Sequence, residues 1–103
     1  MIEQLHHREK VLVRRLRLAP GEATDWHRDP FHRVTVIVSG DALAIEYRDG
    51  GDRERVQVAA GQTDWDEPTE RMHRAINVGT QVYEEVAVFF LDEPDAVPQP
   101  MDD

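Results

Sequence analysis

Turn-forming residues divide this chain into short segments, and their spacing limits the folds open to it. Glycine, proline and aspartate clusters recur about every eight to twelve residues. No segment between them keeps a helical periodicity, and most alternate between apolar and polar residues, as half-buried strands do. The pattern predicts an all-β sandwich or barrel.

The clearest strand is predicted at residues 31–38, where Val34, Val36 and Val38 share the face opposite Arg33. Further strands are predicted at residues 11–18, 24–29, 42–47, 54–59, 63–66, 72–78 and 81–91. Residues 1–10 are polar and mixed, so we expect a solvated lead-in to a barrel of residues 11–91. Residues 92–103 are rich in proline and acidic side chains, which predicts a disordered tail.

Composition narrows the function classes. The 103 residues suffice for one domain, and the absence of cysteine excludes disulfides and thiolate ligands. A net charge of −9 makes nucleic acids and membrane surfaces poor partners. The N-terminus lacks the apolar core of a signal peptide, so we expect a cytoplasmic protein. No nucleotide or phosphate-binding motif occurs, so we expect no organic cofactor.

One spaced motif carries the candidate chemistry. Gly21 is followed after five residues by His27, then by Asp29, Arg33 and Gly40 in the spacing G-x5-H-x-D-x3-R-x6-G. Alternation along an extended chain places positions 27, 29 and 33 on one face, which we expect to point into the barrel.

A second motif lies about 45 residues later, at roughly the separation at which two parts of a small barrel face each other. It runs from Gly61 through Pro68, Glu70 and His73 to Asn77. We expect His73 to meet the first motif in one pocket and Asn77 to hold a strand end.

Together the two motifs resemble those of the cupin superfamily, in particular the small conserved-barrel cupins. The family patterns are G-x5-H-x-H-x3-E-x6-G and G-x5-P-x-G-x2-H-x3-N, and the resemblance extends over residues 11–91. It implies a double-stranded β-helix, or jelly-roll barrel, with a central pocket. This chain departs from the patterns at Asp29, at Arg33 and at Glu70, and by one additional residue before Pro68.

The resemblance implies a metal site, but Asp29 and Arg33 change the set of residues that could ligate the ion. Metal-binding cupins use two histidines and a glutamate from the first motif and a histidine from the second. Here His27, Asp29 and His73 form a set of two imidazoles and one carboxylate, which suits a divalent ion such as iron, manganese, nickel or zinc. The chemistry implied is that of a dioxygenase, isomerase or lyase acting on a small acid.

Arg33 opens a second interpretation. A guanidinium cannot ligate a metal, and at ~4 Å its charge opposes a cation by roughly 1–4 kcal/mol. Arg33 could instead pair with Asp29, or bind an anionic small molecule through two parallel hydrogen bonds. The sequence therefore leaves open a metalloenzyme, a metal-free module that binds or senses an anion, and a non-catalytic structural cupin.

Neighbouring residues add two further predictions. Trp26 and Trp65 flank pocket positions and are candidates to stack on a ligand, although packing is an alternative role for each. His32 has the wrong parity for the pocket and is expected outside. The apolar face of Val34, Val36 and Val38 needs a cover, and we expect a homodimer.

Overall fold

The computed structural model describes residues 1–98, which form strands and no helix. The all-β prediction is confirmed, and no helix within this range is long and apolar enough to span a membrane. The strands are β1 (Ile2–Arg8), β2 (Val11–Leu18), β3 (His27–Asp29), β4 (His32–Ser39), β5 (Ala42–Tyr47), β6 (Glu54–Gln57), β7 (Thr63–Asp66), β8 (Thr69–Asn77) and β9 (Tyr83–Phe90).

The strands form two antiparallel sheets. The larger sheet has the order β1-β2-β9-β4-β7, and the smaller has the order β3-β8-β5-β6. Strands adjacent in a sheet are mostly distant in the chain, so the polypeptide crosses repeatedly between the sheets. This winding brings β3 beside β8 and joins the two motifs of the sequence.

Alternation along the central strands explains which face is buried. On β9, Tyr83, Ala87 and Phe89 are buried, whereas Phe90 is exposed. On β4, Thr35 and Ile37 are buried, and the valines that alternate with them lie on the opposite face. Each strand of the larger sheet thus presents one face to the smaller sheet and the other outward.

The buried apolar side chains form two clusters, one toward each end of the barrel. The first contains Leu12, Phe31, Ala87, Phe89 and Leu91. The second contains Leu18, Ile37, Leu43 and Tyr83, with Leu16 and Val58 packed against it. Both clusters draw residues from strands far apart in sequence, which makes the fold dependent on long-range contacts.

The lead-in predicted at residues 1–10 is largely a strand. Ile2–Arg8 pairs along β2 as β1, with a register shift between Gln4 and His6. Its side chains are mostly exposed, because β1 is an edge strand. The polar composition that suggested a solvated segment is therefore that of a paired but solvent-facing strand.

The segment after β9 also differs from the expectation of disorder, as far as residue 98. Ala96 packs on the cluster of Leu12 and Phe89, and the carbonyl of Pro94 accepts a hydrogen bond from Nε2 of His7 at 2.8 Å. Pro98 is fully buried, and Nη1 of Arg14 donates to its carbonyl at 2.9 Å. Residues 99–103 of the predicted tail lie outside the described residues.

Asn77 ends β8 and ties three parts of the chain together. Its side-chain nitrogen donates to the carbonyls of Leu18 and Gln81 at 2.9 and 2.8 Å, and its side-chain oxygen accepts from the amide of Gly79 at 2.9 Å. The residue is only 1% exposed. The role predicted for Asn77 at a strand end agrees with these contacts.

Because Asn77 satisfies buried backbone groups, Asn77→Ala should lower the free energy of unfolding by about 3 kcal/mol. Urea denaturation followed by tryptophan fluorescence measures the loss. Gln57→Ala, an exposed amide at the end of β6, is the matched control and should change stability by less than about 0.5 kcal/mol. Equal effects of the two substitutions would contradict the role of Asn77.

Candidate functional site

Three potential metal ligands converge where β3 lies beside β8. His27 is the direct cross-strand partner of His73, and their ring centroids are 4.6 Å apart. Asp29 follows on the same face of β3. One potential ligand atom from each of the three lies within 4.8 Å of the others, and His27 and Asp29 are buried. The meeting of the two motifs predicted from the sequence is thus confirmed, whereas metal ligation stays a prediction.

Backbone carbonyls orient both imidazole rings. Nδ1 of His27 lies 2.7 Å from the carbonyl oxygen of Asp25, and Nδ1 of His73 lies 2.8 Å from that of Arg71. A carbonyl only accepts hydrogen bonds, so each Nδ1 carries a proton. Each Nε2 is therefore the atom available to a ligand inside the cavity, which is the arrangement that supports histidine ligands in metal sites.

A single oxygen of Asp29 receives three contacts. Its Oδ2 lies 2.8 Å from Nε2 of His73, 3.4 Å from Nε2 of His27 and 3.5 Å from Nη1 of Arg33. Burial alone would raise the pKa of Asp29, but hydrogen bonds from both histidines and the charge of Arg33 together lower it below its usual range. Asp29 is therefore a carboxylate.

The contact between His73 and Asp29 requires a proton on Nε2. Two lone pairs would repel at 2.8 Å, and Nδ1 of His73 already donates elsewhere. The hydrogen bond to Asp29 accordingly raises the pKa of His73. Without an ion, His73 is an imidazolium, and a metal would take the place of that proton.

Arg33 lies in the cavity, as its parity predicted. Its guanidinium also contacts Asp66, with Nε 3.3 Å from Oδ2, and the hydroxyl of Thr35 donates to the same oxygen at 3.0 Å. The guanidinium lies over the ring of Phe89 at 5.8 Å. Arg33 is thus held between two carboxylates, one in the metal-ligand set and one outside it.

Sequence reasoning missed the contribution of Asp66. The strand predicted at residues 63–66 is present as β7, but no role was assigned to Asp66, which is the cross-strand partner of Arg33. The alternation of β7 was the available signal, because it turns Asp64 and Asp66 to the face opposite Trp65.

Neither tryptophan has its ring over the ligand set. Trp26 precedes His27 and so faces the other side of the sheet, where the guanidinium groups of Arg74 and Arg48 lie 4.7 and 5.8 Å from its ring. Trp65 is 58% exposed and stacks on Phe90 at 5.6 Å. These are packing contacts, the alternative role for each residue; Trp65 also lines the cavity, and ligand stacking stays a prediction.

His32 lies outside the pocket, as predicted from its parity. Its side chain is half-exposed, and its Nδ1 accepts a hydrogen bond from Nε1 of Trp65 at 3.2 Å. It forms no contact with the histidine pair among residues 1–98.

A cavity of about 600 Å³ lies between the sheets and opens beside the ligand set. Polar groups that the sequence interpretation did not assign also line it, namely Arg14, Tyr83 and Glu85. Arg14 shares the parity of Leu12 and Leu16, and that shared parity was the signal that it points inward. Its guanidinium, like that of Arg33, lies over Phe89.

The donor set fits a first-row divalent ion. Two oriented imidazoles and a carboxylate offer nitrogen and oxygen ligands, which suit iron, nickel or zinc, and the carboxylate also suits manganese. The positive charge of Arg33 opposes such an ion. Arg33 also contacts a second carboxylate, Asp66, which can hold the guanidinium away from the ligand set. The same cavity could instead hold an anion at Arg33.

Comparison with known proteins supports the fold. No protein-family model and no curated protein matches the sequence. A cupin domain from Bordetella pertussis Tohama I is 25% identical, with a TM-score of 0.76 over 86% of this chain and 90% of that chain. A cupin 2 conserved barrel domain protein from Salinispora arenicola is 17% identical, with a TM-score of 0.65 over 88% of this chain and 75% of that chain.

An oxalate oxidase in complex with the substrate analogue glycolate is also similar. It is 26% identical with a TM-score of 0.61, over 89% of this chain but only 47% of that chain. This chain thus spans about half of that enzyme. The jelly-roll prediction is confirmed by the two antiparallel sheets and by these likenesses, and the chain has the fold of a small single-domain cupin.

Proposed function

We propose that the cavity binds a divalent metal ion through His27, Asp29 and His73 and accepts a small anionic metabolite beside it. The observation that carries this proposal is the convergence of two imidazole Nε2 atoms, each fixed by a carbonyl at Nδ1, on one carboxylate oxygen. When bound, the ion would supply Lewis acidity or activate oxygen, as in a dioxygenase, isomerase or lyase acting on a small acid.

Arg33 would orient the anion. A guanidinium offers paired donors that match a carboxylate. The contact of Arg33 with Asp66, whose Oδ2 also accepts a hydrogen bond from Thr35, would preserve its position when an ion engages Asp29. The glycolate complex of the similar oxalate oxidase supports a small carboxylate as the class of ligand.

A metal-free cupin that binds or senses an anion is the second candidate. It is favoured by the contact of Arg33 with Asp29, which already neutralises the carboxylate that a metal would need. In that case the protein binds the anion without transforming it, and Arg33 and the imidazolium of His73 are the cationic groups that hold it. A non-catalytic structural cupin is the remaining alternative, and the cytoplasmic location stays a prediction.

We also propose that the domain forms a homodimer through the outer face of the larger sheet. This valine face comprises Val11, Val13, Val34, Val36, Val38, Val86, Val88, Phe90 and Trp65. Val36 and Val38 are 36% and 45% exposed. Ion pairs of Arg17 with Glu84 and of Arg15 with Glu3 lie at its border, and both signs of charge suit a twofold contact with a second copy.

Metal binding should depend on both histidines of the set. The untagged protein should retain a divalent ion near stoichiometry, measured by elemental analysis, and His27→Ala or His73→Ala should weaken binding by at least about 100-fold. His32→Ala is the matched control, because this histidine lies outside the cavity. If the protein takes up no ion after incubation with iron, manganese, nickel and zinc, metal binding by this site is excluded.

Replacing Arg33 should separate the two candidate functions. Arg33→Met keeps the length of the side chain but removes a charge beside Asp29, so divalent affinity measured by calorimetry should rise about tenfold. The same variant should lose binding of small carboxylates in a thermal-shift panel. Arg28→Met is the control, since Arg28 is exposed and donates to the carbonyl of Glu70. Unchanged affinity for both ligands would contradict the position assigned to Arg33.

The dimer should dissociate when a charge enters the valine face. Val36→Asp should convert the species measured by light scattering from a dimer to a monomer at micromolar concentration, because the carboxylate would be buried without a partner. Gln57→Asp is the control, because Gln57 is exposed at the end of β6 on the smaller sheet. A wild-type protein that is monomeric at all concentrations would refute the interface.

A further inference from the structure

Glu85 is a carboxyl group of the cavity for which the described contacts show no ion pair. Glu85 lies on the inner face of β9, and its Oε1 accepts a hydrogen bond from the hydroxyl of Tyr83 at 2.6 Å. Among residues 1–98, no other side-chain hydrogen bond or ion pair of Glu85 occurs, so its Oε2 is available inside the cavity. The proposed metal and anion sites do not use this group.

Across the strands Glu85 has apolar neighbours. Its cross-strand partners are Leu16 and Ile37; Ile37 belongs to the cluster that closes this end of the cavity around the ring of Tyr83, and Leu16 packs against that cluster. Burial raises the pKa of the Glu85 carboxyl more than the charge of Arg33 lowers it. The hydroxyl of Tyr83 already donates to Oε1, so Oε2 is the atom that can take part in a further hydrogen bond.

The charge of Glu85 acts on Arg14 and Arg33, but this does not account for the hydroxyl of Tyr83 that donates to it. A carboxyl among apolar side chains costs free energy, and leucine or methionine would fill the same space without that cost. Polar groups that converge in an otherwise apolar part of a cavity are typical of a binding site. Tyr83 adds to this argument, because its ring packs in the cluster while its hydroxyl reaches the carboxyl.

Glu85 lies farther along the cavity than the backbone of Arg33. Along the paired strands β4 and β9, Arg33 lies opposite Phe89 and Ile37 lies opposite Glu85, about 13 Å apart between backbones. The two long side chains shorten this gap, and the charge of Arg33 acts on the Glu85 carboxyl. A small ligand that contacts both side chains needs an anionic group for Arg33 and a different polar group for Glu85.

We propose that Glu85 and Tyr83 form a second subsite, which binds the hydroxyl or carbonyl oxygen of a small carboxylate whose anionic end lies at Arg33. The ligand class is thus a hydroxy- or oxocarboxylic acid. This inference rests on the anion site of the proposed function. A second carboxylate is disfavoured near Glu85, because Tyr83 and Glu85 supply no positive charge. A purely apolar tail would leave Oε2 of Glu85 without a partner.

Butanoate and its 2-, 3- and 4-hydroxy derivatives test the subsite, because they differ only in the presence and position of one hydroxyl. In calorimetric titrations of the full chain, at least one hydroxy acid should bind about tenfold more tightly than butanoate. Glu85→Leu should reduce that preference to less than about twofold and leave butanoate affinity nearly unchanged. Tyr83→Phe, which keeps the ring packing, should weaken the same preference, and Glu84→Leu on the outer face should not.

The possible outcomes distinguish the subsite from the anion site on which it rests. Equal affinities for all four acids, or a hydroxyl preference that survives Glu85→Leu, would overturn the subsite and leave the anion site intact. If none of the four acids binds, or if Arg33→Met does not weaken butanoate binding, the anion site itself is refuted and the subsite with it.

Discussion

The contacts around Oδ2 of Asp29 constrain the rest of the site. A carboxylate that is nearly excluded from water needs positive charge close to it, and here that charge comes from the imidazolium of His73 and the guanidinium of Arg33. In the proposed metal site, a divalent ion would take the place of the proton on Nε2 of His73 and supply that charge instead.

This arrangement would make the proposed metal and anion binding interdependent. An ion on Asp29 would repel Arg33, which also contacts Asp66, whose Oδ2 accepts a hydrogen bond from the hydroxyl of Thr35. An anion at Arg33 would in turn reduce the repulsion between guanidinium and ion. By linkage, each ligand would then strengthen the binding of the other. Arg33 would thus make metal binding alone less favourable and favour the state in which both ligands are present.

The sequence predicted most of the fold because alternation and turn residues are local signals. Each strand predicted between residues 11 and 91 occurs, and Asp29 and Arg33 share the inner face because their parity is the same. Parity also placed His32 outside. The pairing of His27 with His73 needed more than local signals, and there the spacing of two separated motifs supplied the information.

What the sequence did not predict depends on tertiary contacts. Most positions of an edge strand such as β1 are exposed, so its sequence is polar and cannot be told from that of a solvated segment. Asp66 received no role from the sequence, because only the register of β7 against β4 shows that it faces Arg33. The importance of Glu85 depends on Leu16 and Ile37, which are far from it in the chain.

The two faces of β4 connect the cavity to the surface proposed for dimerisation. Arg33 and Thr35 point into the cavity, and Val34 and Val36 between them belong to the valine face. A partner packed on these valines would restrict the motion of the strand that positions the guanidinium. Because hydrogen-bond strength falls steeply with misalignment, the precision of anion recognition at Arg33 should increase with the rigidity of β4. Assembly and ligand binding would then be coupled through one strand rather than through a shared site.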